Sequence, residues 1–494
     1  MFVQIIKLKK EPNYKAIHDA FDYQRRAADA IKDLEYAAIF HEQGLGKSKI
    51  AIDLALTWIS TEILDTVLIV TKKSLVSNWV EELSIHSHVK PKVLIGQTSH
   101  DGIILLSPVR IIICHYELVK NFESSLKMFC ETRRVGVFLD ESQKIKTPTS
   151  SLANAFFRIS SYFKRRVIIT GTPIANRPYD LWSQIYFLDS GKSLGTNFKE
   201  FKREYDLSNE MSEDLEAQDA YIKSLQNVFP KISKFIVRET KKGCSIDLPA
   251  KDFFYIKSTW EPRQWDLYND IKDDFKTYVI KEQQVIEESA DGILKRILRL
   301  QQICSIPALI DDSYALRPGK LDSLDDLVDE IESRSEKFII WTQFTGTADF
   351  LCKYLQSKNA KKVTGRLSID QRNINIAAFK HDAEVLCLVA TYGAAKEGLT
   401  LTVANNAIFF DRSLSLDDYV QSQDRIHRIS QTKSCNIYIL EMENSIERWV
   451  DNLINAKLCS ASLALRDIDI EMYDQTMSFD FGNELKKALG VQND

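Results

Sequence analysis

Two series of short, almost uniformly apolar runs limit this chain to few architectures. The first comprises VLIV from Val67, VRIIIC from Val109, VGVFLD from Val135 and RVIIT from Arg166; the second comprises KFIIWT from Lys337, VLCLVAT from Val385, NAIFFD from Asn406 and NIYIL from Asn436. Apolar runs of this length separated by helical segments mark parallel strands buried on both faces of an α/β sheet. Two series predict two sheets, hence two similar lobes.

Ahead of the first series stands AAIF from Ala37, followed by HEQGLGKSKIAIDLAL from His41 to Leu56, with Ile50, Ala51, Leu54, Ala55, Trp58 and Ile59 on one helical face. Strand, glycine turn and helix in that order form a phosphate loop. Gly44 and Gly46 can bring main-chain N–H groups, including those flanking Leu45, against an anion at the positive end of the helix. Lys47 is then expected at the β and γ phosphates of ATP and the Ser48 hydroxyl on magnesium. The pattern G-x-x-x-x-G-K-S/T asks for glycine at the position that His41 occupies.

VGVFLDESQ ends a buried strand in Asp140 and Glu141, where open α/β sheets place ligands. Asp140 is expected to help hold magnesium, and Glu141 to orient or deprotonate an attacking water. RVIITGTPIANRPYDLW sends another strand into Thr170, Gly171 and Thr172, small residues able to sit against a phosphate or against Glu141. In QSQDRIHRISQ, Arg425 and Arg428 are three apart and would share one face of a helix, from which guanidiniums can neutralise charge on a γ-phosphate.

Between the two series, residues from about 190 to 310 are charged, helical in period and poor in strand signals. Within them Ile286, Ile293, Leu294, Ile297, Leu298, Leu300 and Ile303 form one drifting stripe. The linker is expected at DDSYALRPGK, residues 311–320, where Pro, Gly and charge gather. Near the C-terminus Ile446, Trp449, Val450, Leu453, Ile454 and Leu458 make an amphipathic helix that closes the fold.

With 494 residues, 44% of them apolar, the chain can bury two or three full cores, and its net charge of −4 leaves any nucleic-acid contact to a local patch. Lys72 and Lys73, then Lys361, Lys362 and Arg366, are the candidates. Eight scattered cysteines without a C-x-x-C pair or a zinc-spaced cluster read as reduced thiols. No apolar run reaches the ~20 residues of a membrane span, and no leader pattern is evident, so a soluble intracellular protein is expected, in a bacterial cytoplasm or that of a virus's host cell, with a nuclear location left open.

Taken in order, these residues resemble the Swi/Snf family of DNA-translocating ATPases in helicase superfamily two. The likeness runs from about Tyr23 to Trp449: Tyr23-Gln24, HEQGLGKS, VLIVTKKSLVSNWVEEL, FLDESQ, ITGTPIANRPYDLW, LRLQQICSIPALI, GK at 319, KFIIWTQF, EGLTLTVANNAIFFDRS and QDRIHRISQ. The resemblance implies two RecA-like lobes with parallel sheets, helical insertions and a C-terminal helix. It makes Gln24 the adenine reader and includes Gly398 among the nucleotide-binding positions. The D-R-I-H-R form points to a compact, distant branch. Departures are His41 and Gln43 for Asp and Met, Ser48 for Thr, Lys72 for Pro, Gln143 for His and Ser430 for Gly; none removes Lys47, Asp140, Glu141, Arg425 or Arg428.

The expected division is an ATP-binding lobe over 1–245, a helical insertion and linker over 246–318, a second lobe over 319–470 and a tail over 471–494. The expected activity is ATP-driven movement on double-stranded DNA, with magnesium, possible unidentified protein partners and no membrane. A strand-separating helicase and an ATP-driven protein-binding switch are the alternatives.

Overall fold

Each series of apolar runs forms a parallel sheet. The computed structural model describes residues 8–209, 215–244, 248–282, 289–395, 400–428 and 430–477. It falls into two compact units, Met1–Ile246 with Ser460–Ile470, and Asp247–Cys459 with Glu471–Asp494.

In the first unit the strands are β1 (Tyr36–Ile39), β2 (Thr66–Thr71), β3 (Lys92–Val93), β4 (Ile111–His115), β5 (Val135–Asp140), β6 (Arg165–Ile169) and β7 (Ile236–Val237). They pair in parallel in the order β3-β4-β2-β5-β6-β1-β7. Three helices frame the part of interest: α1 (Asp22–Ile31), α2 (Lys47–Ser60) and α3 (Val76–His86). Val67, Ile69, Ile111, Ile113, Phe138 and Val167 pack against Ile50, Leu54 and Trp58 of α2 in one apolar core. Burying each such side chain is worth roughly 1.5–3 kcal/mol of transfer free energy, which fixes α2 to the sheet. The helix is buried more widely than one face, since Ile52 and Leu56 are also inside.

The register decides where function can lie. Ile39 pairs with Ile169, and Ile169 with Asp140. Because β1, β6 and β5 are parallel neighbours, the loops beginning at Phe40, Thr170 and Glu141 leave the same edge of the sheet at the same level.

The second unit holds β8 (Lys251–Ser258), β9 (Phe338–Thr342), β10 (Lys361–Val363), β11 (Cys387–Thr391), β12 (Asn406–Phe409) and β13 (Cys435–Met442), all parallel, in the order β10-β11-β9-β12-β13-β8. The stretch 246–318, expected as a helical insertion and linker, carries the helices Pro262–Glu282 and Ser289–Ser305 and also a strand. Lys251–Ser258 is an edge strand paired along its whole length with β13. Its sequence KDFFYIKS lacks the uniform apolar signature because an edge strand is not buried on both faces. Tyr268, Ile297, Leu300, Ile303 and Cys304 share a core with Ile446, Trp449 and Val450, so this stretch belongs to the second unit. The compact units divide between Ile246 and Asp247, and Ser460–Ile470 groups with the first unit.

Of the drifting stripe, Ile297, Leu300 and Ile303 are buried while Leu294 is exposed; Ile286 and the side chain of Ile293 lie outside the described residues. The C-terminal helix runs Ile446–Ala464. All eight cysteines are free thiols. Among the described residues no helix is long and apolar enough to cross a membrane.

Candidate active site

The loop between β1 and α2 has the backbone conformation that an anion cradle requires. Gly44 and Gly46 have φ of +86° and +66°, the left-handed region that side chains with a Cβ avoid. A Cβ on Gly46 would also lie 2.4 Å from Gln24 Nε2. In such a cradle N–H groups must face the anion and carbonyls must face away. Two donors from α1 enforce this at Leu45, whose carbonyl accepts from Tyr23 Oη and from Gln24 Nε2, both at 3.2 Å. Gly46 stands at the N-cap of α2 and no side chain caps that helix end, so the first N–H groups and the helix dipole are turned to the loop. Lys47 Nζ reaches the Glu42 carbonyl at 3.3 Å, and Ser48 sits in the first turn of α2.

Across the sheet edge, burial and the neighbouring Glu141 charge push Asp140 up to about 6, while Trp79, Thr71 and the Lys47 ammonium act in the opposite direction. Asp140 Oδ2 accepts from Thr71 Oγ1 and from Trp79 Nε1, each at 2.8 Å, and its carbonyl accepts from Tyr116 Oη at 2.8 Å. Glu141 adopts φ +54°, ψ +50°, a costly conformation for a non-glycine residue. Gln143 Nε2 donates to Glu141 Oε2, and Gln143 Oε1 accepts from Thr170 Oγ1 at 2.8 Å. The residue in place of the commoner His thus ties the acidic pair to the T-G-T-P turn. A second tie runs from Ser142 Oγ to Gln184 Oε1 at 2.7 Å, with Gln184 Nε2 on the Pro173 carbonyl at 2.7 Å. A Cβ at Gly171 would lie 2.7 Å from Gln43 Cγ, so the Gln43 side chain would have to shift to admit one.

Gln24, Gly44, Leu45, Gly46, Lys47, Ser48, Asp140 and Glu141 are therefore gathered at one edge of one sheet. Lys72 is not a solvated cation there: its Nζ lies 3.7 Å from Glu141 Oε2. Lys362 Nζ and Arg366 Nη1 both face Asp349, at 2.6 and 3.5 Å.

Arg425 and Arg428 lie in the second unit. The shared helix face expected of them is not formed, because the helix Leu416–Gln423 ends before them and both occupy the turns that follow. Main-chain bonds from Ile426 N and His427 N to the Gln423 carbonyl, both 3.3 Å, shape that turn. Arg428 Nη1 donates to Thr400 Oγ1 at 2.8 Å and Arg425 Nη2 to Gln421 Oε1 at 3.4 Å. Gly398 lies outside the described residues.

Several participants were not singled out beforehand. Thr71 is one: Val70 pairs with Leu139, so the next residue of β2 stands beside Asp140, which only the strand order reveals. Trp79 and Tyr116 are similar cases. The segment after β7 is another, with Glu42 N on the Glu239 carbonyl at 2.9 Å and Lys241 N on Glu42 Oε2 at 2.7 Å. A strand of two residues leaves no periodic signal.

Comparisons with known proteins place the chain in a family. A model of the SNF2-related domain matches residues 23–309, and one of the helicase conserved C-terminal domain matches residues 319–430. An uncharacterized ATP-dependent helicase of Mycoplasma genitalium is 29% identical over 434 residues, covering 87% of this chain and 40% of its own length. An ISWI chromatin-remodeling complex ATPase of Arabidopsis thaliana is 26% identical over 424 residues, covering 81% of this chain and 37% of its own length. The chain thus spans about two fifths of the length of these relatives. A solved SWI2/SNF2 ATPase core of Sulfolobus solfataricus, in complex with dsDNA, is 24% identical, covers 99% of this chain and 100% of its own, and has a TM-score of 0.42. With the SNF2-related model spanning more than half of the chain, from the α1 glutamine through the phosphate loop and the acidic pair, the chain belongs to the SNF2-related, or Swi/Snf, family of helicase superfamily two.

Proposed function

We propose that this chain is an ATP-hydrolysing motor that moves along double-stranded DNA without separating the strands, in the compact branch of its family. The observation that carries the reading is the register that brings the loop of Gly44 to Ser48 and the acidic pair Asp140 and Glu141 to the same edge of one sheet. Names of the relatives, an ATP-dependent helicase and a chromatin-remodeling ATPase, support ATP use and a nucleic-acid track.

The N–H groups of the loop around Gly44, Leu45 and Gly46 receive phosphate oxygens, and Lys47 places its charge on the β and γ phosphates. Gln24 spends Nε2 on Leu45 and takes the Phe21 N–H on Oε1 at 3.0 Å, which leaves an Oε1 lone pair for the adenine amino group. Ser48 and Asp140 offer a hard cation one hydroxyl and one carboxylate, and would hold magnesium. Bound there, magnesium neutralises charge on the phosphates. Glu141, held by Gln143, orients the attacking water and accepts its proton. Arg425 and Arg428 are assigned to the transferring phosphoryl group.

Replacing Lys47 by Ala tests the assignment. ATPase activity is expected to fall to background with circular dichroism and urea unfolding unchanged; a folded Lys47→Ala protein that hydrolyses ATP at the normal rate refutes it.

A further inference from the structure

We propose that Trp79 and Thr71 are positioning residues for magnesium at Asp140, an inference that rests on the nucleotide site proposed above. A carboxylate at a strand end turns about two side-chain torsions and can offer either oxygen. Here the oxygens are made unequal. Oδ2 takes both donors, Thr71 Oγ1 and Trp79 Nε1, at 2.8 Å each, whereas none of the described residues hydrogen-bonds Oδ1. The donors come from different elements, one from the end of β2 and one from α3, so together they fix the plane of the carboxylate as well as its position. Both are themselves immobile. Trp79 is 3% exposed and packed in the apolar core of the first unit, and Thr71 is fully buried. The main chain is pinned from a third side by Tyr116 Oη on the Asp140 carbonyl. Both side-chain donors are neutral, so they orient the carboxylate without cancelling the charge that attracts a cation. The result is one occupied oxygen and one presented oxygen, which suits a cation of strict octahedral geometry that takes one carboxylate oxygen beside the phosphates.

Groups that orient a metal ligand typically change metal affinity by roughly 10–100-fold when removed. Two substitutions isolate the effect. Thr71→Val keeps shape and removes only the hydroxyl, and Trp79→Phe removes the indole N–H while leaving an aromatic ring in the core. The probe is a fluorescent, non-hydrolysable ATP analogue, whose affinity is measured in EDTA and then across a magnesium titration. Both variants are expected to match the natural protein in EDTA and to need on the order of tenfold more magnesium for half of the magnesium-dependent gain. Thr71→Val decides the matter should Trp79→Phe not fold. Unchanged magnesium dependence overturns the proposal, as does an equal loss of affinity with and without magnesium, which would mark the two residues as mere supports of the fold. If the natural protein binds the analogue under neither condition, the nucleotide site itself is refuted, a result distinct from the other two.

Discussion

At the scale of single residues, the departures from the common motif are where this chain departs in chemistry. His41 stands where a phosphate-loop glycine is usual, yet it does not obstruct the loop. Its ring is fully buried, with Nδ1 3.3 Å from the Val237 carbonyl, the geometry of an N–H donor bonded to the neighbouring strand. Burial, then the Lys47 charge, lowers its pKa from 6.5 to about 4. The site thus keeps Lys47 as its cation while His41 stays neutral at physiological pH. The sign of the consequence is fixed. A histidine whose pKa is depressed on folding takes up protons in the unfolded chain first, so stability is complete above pH 6.5 and drains away as pH falls toward 4. The whole effect is at most about 3 kcal/mol for a shift of that size. His41→Asn keeps an N–H donor for Val237 and cannot titrate. The fall in urea midpoint between pH 7 and pH 5 is therefore expected to be smaller in the variant; parallel falls would show that another group governs the acid limb.

At the scale of elements, the sequence exposed what is buried on both sides and concealed what is not. VLIV, VGVFLD and KFIIWT were legible as strands because every residue had to be apolar, and the loop from Gly44 to Ser48 was legible because its chemistry demands those residue types. By contrast β3, β7 and β10 are two or three residues long, and β8 carries Phe253, Phe254 and Tyr255 half exposed at a sheet edge, where no period is imposed. Contacts set by strand order, such as Thr71 and Trp79 on Asp140, were beyond a reading along the chain. The Arg425–Arg428 pair shows the same limit: spacing of three suggested a helix, but the helix stops at Gln423, and i to i−3 bonds such as Arg425 N on the Ser422 carbonyl tighten the chain into turns beyond it. A turn holds its side chains through specific partners, here Thr400 for Arg428 and Gln421 for Arg425. If the pair meets charge that develops only in the transition state, Arg425→Ala or Arg428→Ala should lower kcat on the order of 10³-fold with little change in nucleotide affinity. Weaker ATP binding at an unchanged kcat would place them on the ground state instead.

At the scale of the whole molecule, two parallel sheets on one chain, one carrying the phosphate loop and the other the arginine turn, offer a way to turn hydrolysis into movement. On the proposed function, each cycle of nucleotide binding and release would advance a polymer by a small step. The net charge of −4 means that the grip on such a polymer is local. The proposed grip is mainly on phosphates. Binding then varies little with sequence and weakens steeply with salt through counterion release. Lys362 and Arg366 already share Asp349, so each is a weaker candidate for such contact than its charge alone suggests. If both strands remain paired under the motor, long duplex DNA stimulates the ATPase more than single strands or RNA, and a triplex-forming strand is displaced while the duplex beneath stays intact. ATPase rates with each polymer at one fixed salt concentration, beside a triplex and a forked-duplex assay, separate the possibilities. Preference for RNA or efficient opening of the fork would assign a strand-separating helicase, and equal rates with every polymer and with none would assign a switch that acts on protein partners.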